Sequence, residues 1–586
     1  MRGRERVLVA AVVLVVMLLP LLSLLPAGAG ACLADPLGEI QVKLWVYDAF
    51  LQPGRLFGGV IDEIRHPTPG LLNNPDLVGT LVIGGLNGLL GDCAAYNLLV
   101  SLQLGANALA AWWLGRQWGG DDLAGLGAAI SIGLLPLLLV YCVAGAVTDM
   151  LNLWPYLLSL YFMREGWASG RALPALAAGG LLGVGFITCP YNVLVFAPAI
   201  LPVGVTLYLG GLERFGLEEP ADWRVLMRWV ALVALGGVLV GGPYLAWMQL
   251  ILVDPDSQMG AEAIQHTRHA APYHALAPHV EERYTAYLAD YVGTGPGSVV
   301  LRDNIARFYR ANNPGLVVLG VGLLGAVLPT ERRVLQASAR LWMGVAGFFM
   351  LAAMGPFAPV TRDIALPGPY NPVWLGLHHL FPGSSLLLEP FRYSLPVGAA
   401  VGIAASCGAV VLASRLGRWV LVALPALCLV ESLTIAPVFR PLPTTTPTVP
   451  EVYSQLDDYI DEGAVLELPF FQFGSKLFTR TVFLNQRTHG RPIPHIVEGH
   501  VPAYLRENPA TATLLAAEDP VPFFSVVPGD FDDFDDGIAA LQADGVAAII
   551  LTPSLYKDPR VLGRVERFLR PWGPPMKVDG RWIYRL

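Results

Sequence analysis

The N-terminus reads Arg2-Gly-Arg4-Glu-Arg6. It then runs without a charge from Val7 through Leu-Val-Ala-Ala-Val-Val-Leu-Val-Val-Met-Leu-Leu to Pro20, and on through Leu-Leu-Ser-Leu-Leu-Pro26 to Ala31. A bilayer core takes about 20 apolar residues as helix, because a backbone group left unpaired in lipid is costly. The stretch is long enough to cross. Small residues near 27–31 are reminiscent of a signal peptide, but the apolar run exceeds the usual ~7–15 residues, so it reads as a retained helix. Working outward, the same pattern predicts spans at 7–31, 93–115, 122–147, 150–163, 172–188, 190–212, 228–253, 314–330, 341–356, 393–413 and 418–437, about eleven in all. The 150–163 span is short. The apolar run 77–90 is shorter than a span and reads as a helix lying along the membrane surface.

Composition agrees. Of 586 residues, 54% are hydrophobic and only 14% charged, with mean hydropathy +0.53, where a globular domain carries about 25% charge. Much of the surface therefore meets something other than water. The net charge is -8. The region 440–586 holds 14 basic against 19 acidic residues, a net of -5. No basic patch points to nucleic acid. Walker loops, GxSxG, HExxH and dinucleotide fingerprints are missing from the sequence.

Arginine sets the orientation. Arg2, Arg4 and Arg6, then Arg116, Arg164 and Arg171, Arg214 and Arg224, Arg332, Arg333 and Arg340, and Arg415 and Arg418 all fall on one side if 77–90 does not cross. By the positive-inside rule that side is cytoplasmic. The expected setting is the bacterial cytoplasmic (inner) membrane, with outer loops 32–76, 254–312 and 357–392.

Beyond 437 the pattern changes. Pro441-Leu-Pro-Thr-Thr-Thr-Pro-Thr-Val-Pro450 reads as a stiff, extended linker. Ala464-Val-Leu-Glu-Leu-Pro469 and Gly545-Val-Ala-Ala-Ile-Ile-Leu551 read as buried strands, 558–569 as an amphipathic helix and 580–586 as a closing strand. The fold class is thus mainly α: a polytopic transmembrane helix bundle over 1–437, followed by a small soluble α/β domain over 438–586.

The chain has six cysteines. Cys32 and Cys93 fall at the outer ends of their spans, but a bond needs close, specific geometry, and the reading favours free thiols. His266, His269, His274 and His279 do not share one helical face, and read as a solvated loop, not zinc ligands. The acidic run 530–537 puts Phe534 where an EF-hand needs Asp or Asn, and reads as a turn leading into a helix. His489 and His495 have no nucleophile to serve.

Candidate chemistry gathers at the outer face. Asp35, Glu39 and Asp48 follow the first span, and Asp149 sits in the short turn before 150–163. A carboxylate there can take a proton from an attacking hydroxyl, and acids at membrane depth tend to be functional. Each can equally be a solvated acid or a helix cap. Arg392, at the mouth of a span, suits a phosphate. Arg302, Arg307 and Arg310 recur near helical spacing and are equally suited to lipid headgroups.

In order along the chain, several weak motifs resemble the GT-C superfamily of membrane glycosyltransferases, in a bacterial branch with a C-terminal α/β domain. They are Gly38-Glu39 with Trp45, where the branch carries Asp instead of Glu; His66-Pro-Thr-Pro-Gly70 and Asn73-Asn-Pro-Asp76; Ala95-Tyr96-Asn97-Leu98; Met354-Gly355-Pro356; Pro390-Phe391-Arg392-Tyr393; Val465-Leu-Glu-Leu-Pro469; and Gln486-Arg-Thr-His489-Gly490-Arg491-Pro492-Ile493. The resemblance implies transfer of a sugar, with inversion, from a polyprenyl-phosphate donor in the bilayer to an envelope lipid, polysaccharide or protein. It implies a catalytic acid in the first outer loop (Glu39, with Asp35 and Asp149 beside it) and an arginine on the donor phosphate (Arg392, with Arg302). It also implies, for some members, a divalent metal such as Mg or Mn. The departure at Glu39 leaves open a non-catalytic protein that binds a lipid-linked glycan. A transporter is disfavoured, since no clear internal repeat is visible and the charges sit at the outer face.

Overall fold

The computed structural model describes residues 3–28, 30–34, 37–51, 60–61, 66–67, 70–71, 76–145, 147–199, 223–253, 286, 288–292, 311–355, 371–380, 390–434, 436, 438, 441–470, 477–495, 503–518, 533–556 and 558–586. Among these, six helices are long and apolar enough to cross a membrane: Glu5–Leu24, Asp92–Gly119, Ala124–Val143, Trp223–Trp247, Arg333–Ala353 and Pro390–Leu416. Leu77–Leu90, Ala172–Thr188, Leu316–Val327 and Val420–Thr434 are apolar but shorter. The expected count of eleven is therefore not reached by this measure. The 190–212 span is described only as the helix Pro190–Phe196 and a following turn. The 150–163 span becomes Trp154–Ser169, with Pro155 in its first turn, where a fixed φ and a missing N–H cost nothing.

Two helices form the centre. Every residue of Ala124–Gly133 is buried, as is Ser394 through Val411 of Ser394–Leu416. The outer helices turn leucine and valine outward (Val238 and Leu239 are both 65% exposed), as a lipid-facing surface requires. Small residues let the helices close up. A methyl group on Gly179 would fall 1.9 Å from the Val233 carbonyl oxygen, and one on Gly236 2.2 Å from that of Leu176. Only glycine permits this crossing of Ala172–Thr188 with Trp223–Val253.

The arginines gather at one end of the bundle. Arg116 pairs with Asp122, and Arg418 with Asp121 at 3.1 Å. Arg164 donates to the Gln117 carbonyl at 2.6 Å and Arg340 to that of Ala326 at 2.7 Å. Arg415 donates to the Pro329 carbonyl.

At the other end, Cys32 and Cys93 are joined in a disulfide. This corrects the expectation of free thiols. Asn97, one turn beyond Cys93, explains the closeness: its side chain accepts from Leu33 N and donates to Ala31 O, both at 2.9 Å, clamping the first loop onto the Asp92–Gly119 helix. The loop 32–76 is not irregular throughout, since Leu37–Leu51 is a helix. Leu77–Leu90 is capped by Asp76 and, at 14 residues, spans about 21 Å, short of a bilayer core.

The expected strands in the C-terminal region are present. Ala464–Leu468 pairs parallel with Val546–Leu551. Arg581–Arg585 and then Met576–Val578 extend the sheet antiparallel. The helix Pro559–Leu569 covers it, and Asp533, Asp535 and Asp536 open the helix Asp533–Ala543, where acids favour the N-terminal dipole. The linker is less free than expected. Thr444–Thr445 forms a two-residue antiparallel pair with Cys32–Leu33, and Leu442 N donates to Ser23 Oγ at 2.9 Å. The helix Leu477–His489 packs on Leu37–Leu51, with Trp45 edge-on to Phe483 at 5.5 Å and Val42, Val46, Val482 and Ile493 around them. Arg487 meets Asp92 at 2.6 Å.

Candidate functional site

The disulfide end carries the candidate residues. Asp149 opens a single 3-10 turn, Asp149–Leu151, between two apolar segments. Three buried asparagines hold that turn. Asn107 donates to Leu151 O at 2.7 Å and accepts from Leu153 N and Trp154 N at 3.0 and 2.8 Å. Asn192 donates to Met150 O at 3.2 Å. Asn152 reaches the Thr148 and Asp149 carbonyls at 3.4 Å each. An amide supplies both donors and an acceptor, so it can satisfy backbone groups that water cannot reach.

Arg392 lies in the turn Pro390–Tyr393, ahead of the central Ser394–Leu416 helix. It donates to the Tyr141 hydroxyl at 3.2 Å, and its guanidinium stands 4.8 Å from the centre of the Tyr191 ring. Phe391 packs edge-on against Tyr141 at 4.9 Å. Asp149 Oδ2 accepts from the Cys189 thiol at 3.5 Å. The turn carrying the acid and the turn carrying the arginine, 243 residues apart in sequence, thus meet on one short stretch of chain, Asp149 at Cys189 and Arg392 at Tyr191. From the second outer loop, the 3-10 turn Leu288–Tyr291 reaches this end as well: the Tyr291 and Ser394 hydroxyls are 2.7 Å apart, and Asp290 beside it is buried.

Glu39 lies in the first turn of Leu37–Leu51, one helical turn before Lys43. Lys43 is fully buried and meets Asp76 Oδ2 at 2.6 Å. Asp76 Oδ1 accepts from Gly79 N at 2.9 Å and faces Asn152 Nδ2 at 3.5 Å. Asp48 lies on the same helix as Glu39 with its side chain largely in solvent, and partial desolvation raises its carboxyl above the usual range against the lowering pull of Arg487. Asp35, Arg302, Arg307, Arg310 and the four loop histidines lie outside the described residues.

His489 and His495 are structural. The His489 Nδ1 accepts from Arg491 N at 3.0 Å and its ring stacks on Tyr453; His495 Nε2 is 3.2 Å from the Glu467 carbonyl oxygen. Burial pushes both imidazoles down to about 4.

A hard cation such as Mg or Mn needs several oxygen ligands. Among the described residues no group of three His, Cys, Asp or Glu side chains that could hold such an ion forms, and Asp149 Oδ2 accepts from the Cys189 thiol. The described residues by themselves do not fit a metal site.

Sequence reading missed Lys43, Asp76, Tyr141, Tyr191, Asp290 and the three asparagines. Amides inside apolar helices are the signal that was there to use.

No protein-family model matches the chain, and no curated protein matches it. Solved structures do. The mycobacterial arabinofuranosyltransferase AftD is similar over 100% of this chain, at 13% identity and a TM-score of 0.50, and this chain spans 41% of that one. The Archaeoglobus fulgidus oligosaccharyltransferase AglB, in complex with an inhibitory peptide and a dolichol-phosphate, matches over 98% of this chain and 73% of its own, at 9% identity and 0.48. ArnT from Cupriavidus metallidurans, bound to undecaprenyl phosphate, matches over 100% and 98%, at 14% and 0.40. The likeness to AftD shows a shared fold. The protein is accordingly an integral membrane protein of mainly helical class.

Proposed function

We propose that this protein is a membrane glycosyltransferase. It moves a sugar from a polyprenyl-phosphate donor to an envelope lipid, polysaccharide or protein at the outer face of the bacterial cytoplasmic membrane. The observation that carries the reading is the meeting of Asp149 and Arg392 on the Cys189–Tyr191 stretch, at the disulfide end of a fold shared with an arabinofuranosyltransferase. That dolichol-phosphate and undecaprenyl phosphate occur in AglB and ArnT structures agrees with the donor class. A structure of the A. fulgidus oligosaccharyltransferase with Zn and sulfate is also known. That leaves the metal as a question for the assay, which is run with and without Mg and Mn.

The outward assignment of this end has two supports. The arginine-bound loops occupy the opposite end, and a disulfide persists in an oxidising compartment. In the proposed reaction the acceptor hydroxyl attacks the anomeric carbon while the bond from that carbon to the phosphate oxygen breaks. Polyprenyl phosphate leaves with both electrons. Glu39 takes the hydroxyl proton, and Asp149 orients the acceptor. Arg392 neutralises the charge that gathers on the departing phosphate, which a planar guanidinium can grip through two oxygens. Asp35 and Arg302 are secondary candidates for the acid and the phosphate contact. The C-terminal α/β region, proposed as a domain from about 438, helps recruit the acceptor.

The test uses purified protein in lipid vesicles, radiolabelled polyprenyl-phosphate hexoses and pentoses, and an envelope extract. Wild type transfers label, while Glu39→Gln loses on the order of 10²–10⁴-fold, the usual range for proton transfer, and Asp149→Asn transfers more slowly than wild type. Donor binding without transfer by wild type, across donors and metals, would overturn the reading in favour of a non-catalytic glycan-binding protein.

A further inference from the structure

Among the described residues, the buried pair Lys43–Asp76 joins the Leu37–Leu51 helix, which carries Glu39, through side chains to the Asp149 turn. Both side chains are wholly shielded, 2.6 Å apart. Burying two charges is expensive and is repaid only by good geometry, and here the geometry is built on both sides. Asp76 uses one oxygen for Lys43. The other takes the Gly79 N–H, which fixes the Leu77–Leu90 helix, and faces the Asn152 amide. Asn152 in turn reaches the Thr148 and Asp149 carbonyls. Gly79 leaves the room: a methyl group there would fall 2.1 Å from Asp76 Oδ2 and 3.0 Å from Lys43 Cε.

We propose that Lys43, Asp76 and Asn152 are positioning residues that set the first outer helix in register with the Asp149 turn, so that the two acids address one substrate. The inference rests on the transfer reading given above. A link of this kind acts on the rate of the chemical step rather than on donor capture, because Arg392, with its Tyr141 and Tyr191 contacts, lies on other elements.

The full-length protein in vesicles is compared with Asn152→Ala, Asp76→Asn, Lys43→Met and Lys43→Arg in two measurements. In the transfer assay, Asn152→Ala and Asp76→Asn are expected to lower kcat at least tenfold per folded molecule while KM for the donor stays within about twofold. Lys43→Arg recovers part of the kcat lost in Lys43→Met. In hydrogen exchange, which needs no activity, amides of 148–154 lose protection in Asp76→Asn and Asn152→Ala, while those of Ser394–Leu416 do not. If both variants keep wild-type kcat and wild-type protection of 148–154, the proposal is overturned. If wild type transfers nothing, the transfer reading has failed, and exchange alone decides whether the link sets the turn.

Discussion

Asp149 occupies a turn in which each carbonyl from Thr148 to Leu151 has a side-chain partner, supplied by Asn152 of the turn itself and by Asn107 and Asn192 from two other stretches of chain. Holding an acid this way limits how far it must reorganise when a substrate arrives. Much of this was hidden in the sequence. Asp149 and Arg392 each stood out as charges at span ends, but nothing in their spacing shows that they meet at Cys189 and Tyr191. Lys43 was not singled out and Asp76 entered only as the end of the Asn73–Asp76 motif, because burial is a property of the fold. Glu467 illustrates the same point and carries a test. It is buried in the strand Ala464–Leu468, where Tyr453 donates to its carboxyl at 2.7 Å and Asn485 at 3.0 Å. Burial raises the carboxyl from 4.5 to about 7, against the lowering effect of Tyr453, Asn485 and Arg581. The folded chain therefore holds this proton where the unfolded chain has released it. The stability it contributes is complete below pH 4.5 and is lost as pH rises through 7. His489 and His495 act in the opposite sense: their contribution is present above pH 6.5 and lost as pH falls through 4. They cancel when wild type is compared with Glu467→Gln. The stability of wild type over Glu467→Gln should shrink by roughly 3 kcal/mol between pH 4.5 and 8. Exchange of the 464–468 amides in the full-length protein reads it, and a difference independent of pH would contradict the assignment.

Among the elements, the strands and the helix of the C-terminal region were legible because their patterns are local. Ala464–Leu468 and Val546–Leu551 are short apolar runs, and Pro559–Leu569 opens with an Asp558 cap and a proline. The bundle helices were legible as apolar runs, but their ends were not. Pro155, the π-helical turn Leu138–Val143 and the asparagine clamps move them by several residues. The disulfide was misjudged, because Asn97 brings residues 61 apart into contact and spacing alone does not show it. Closing a loop of that length in the unfolded chain is worth about 4 kcal/mol in the chain-entropy view. Replacing Cys32 and Cys93 together by serine should lower the melting temperature by several degrees, and reductant should shift wild type toward the variant. Equal melting of the oxidised, reduced and serine forms would show that the bond contributes nothing.

Across the whole molecule, charge and chemistry separate to opposite ends. Arg116, Arg164, Arg340, Arg415 and Arg418 tie the loops of one end together. The disulfide, the Asp149 turn, Arg392 and the Leu37–Leu51 helix lie at the other, where the C-terminal α/β region rests on that helix through Trp45 and Phe483. The alternation of arginine-bearing loops already carried this polarity in the sequence, since orientation depends on loop charge rather than on packing. The docking of Phe483 onto Trp45 did not show, because each reads alone as one more aromatic residue. The central claim is that a polyprenyl-phosphate donor binds at the Asp149–Arg392 end. The most direct measurement is photocrosslinking of a diazirine-bearing polyprenyl phosphate to the protein in vesicles, with the labelled peptides mapped by mass spectrometry. Label on the peptides holding Tyr191 and Arg392, competed away by unlabelled polyprenyl phosphate and reduced in Arg392→Met, is the predicted result. Label concentrated around Arg116, Arg164 and Arg418, or unaffected by competitor, would contradict it.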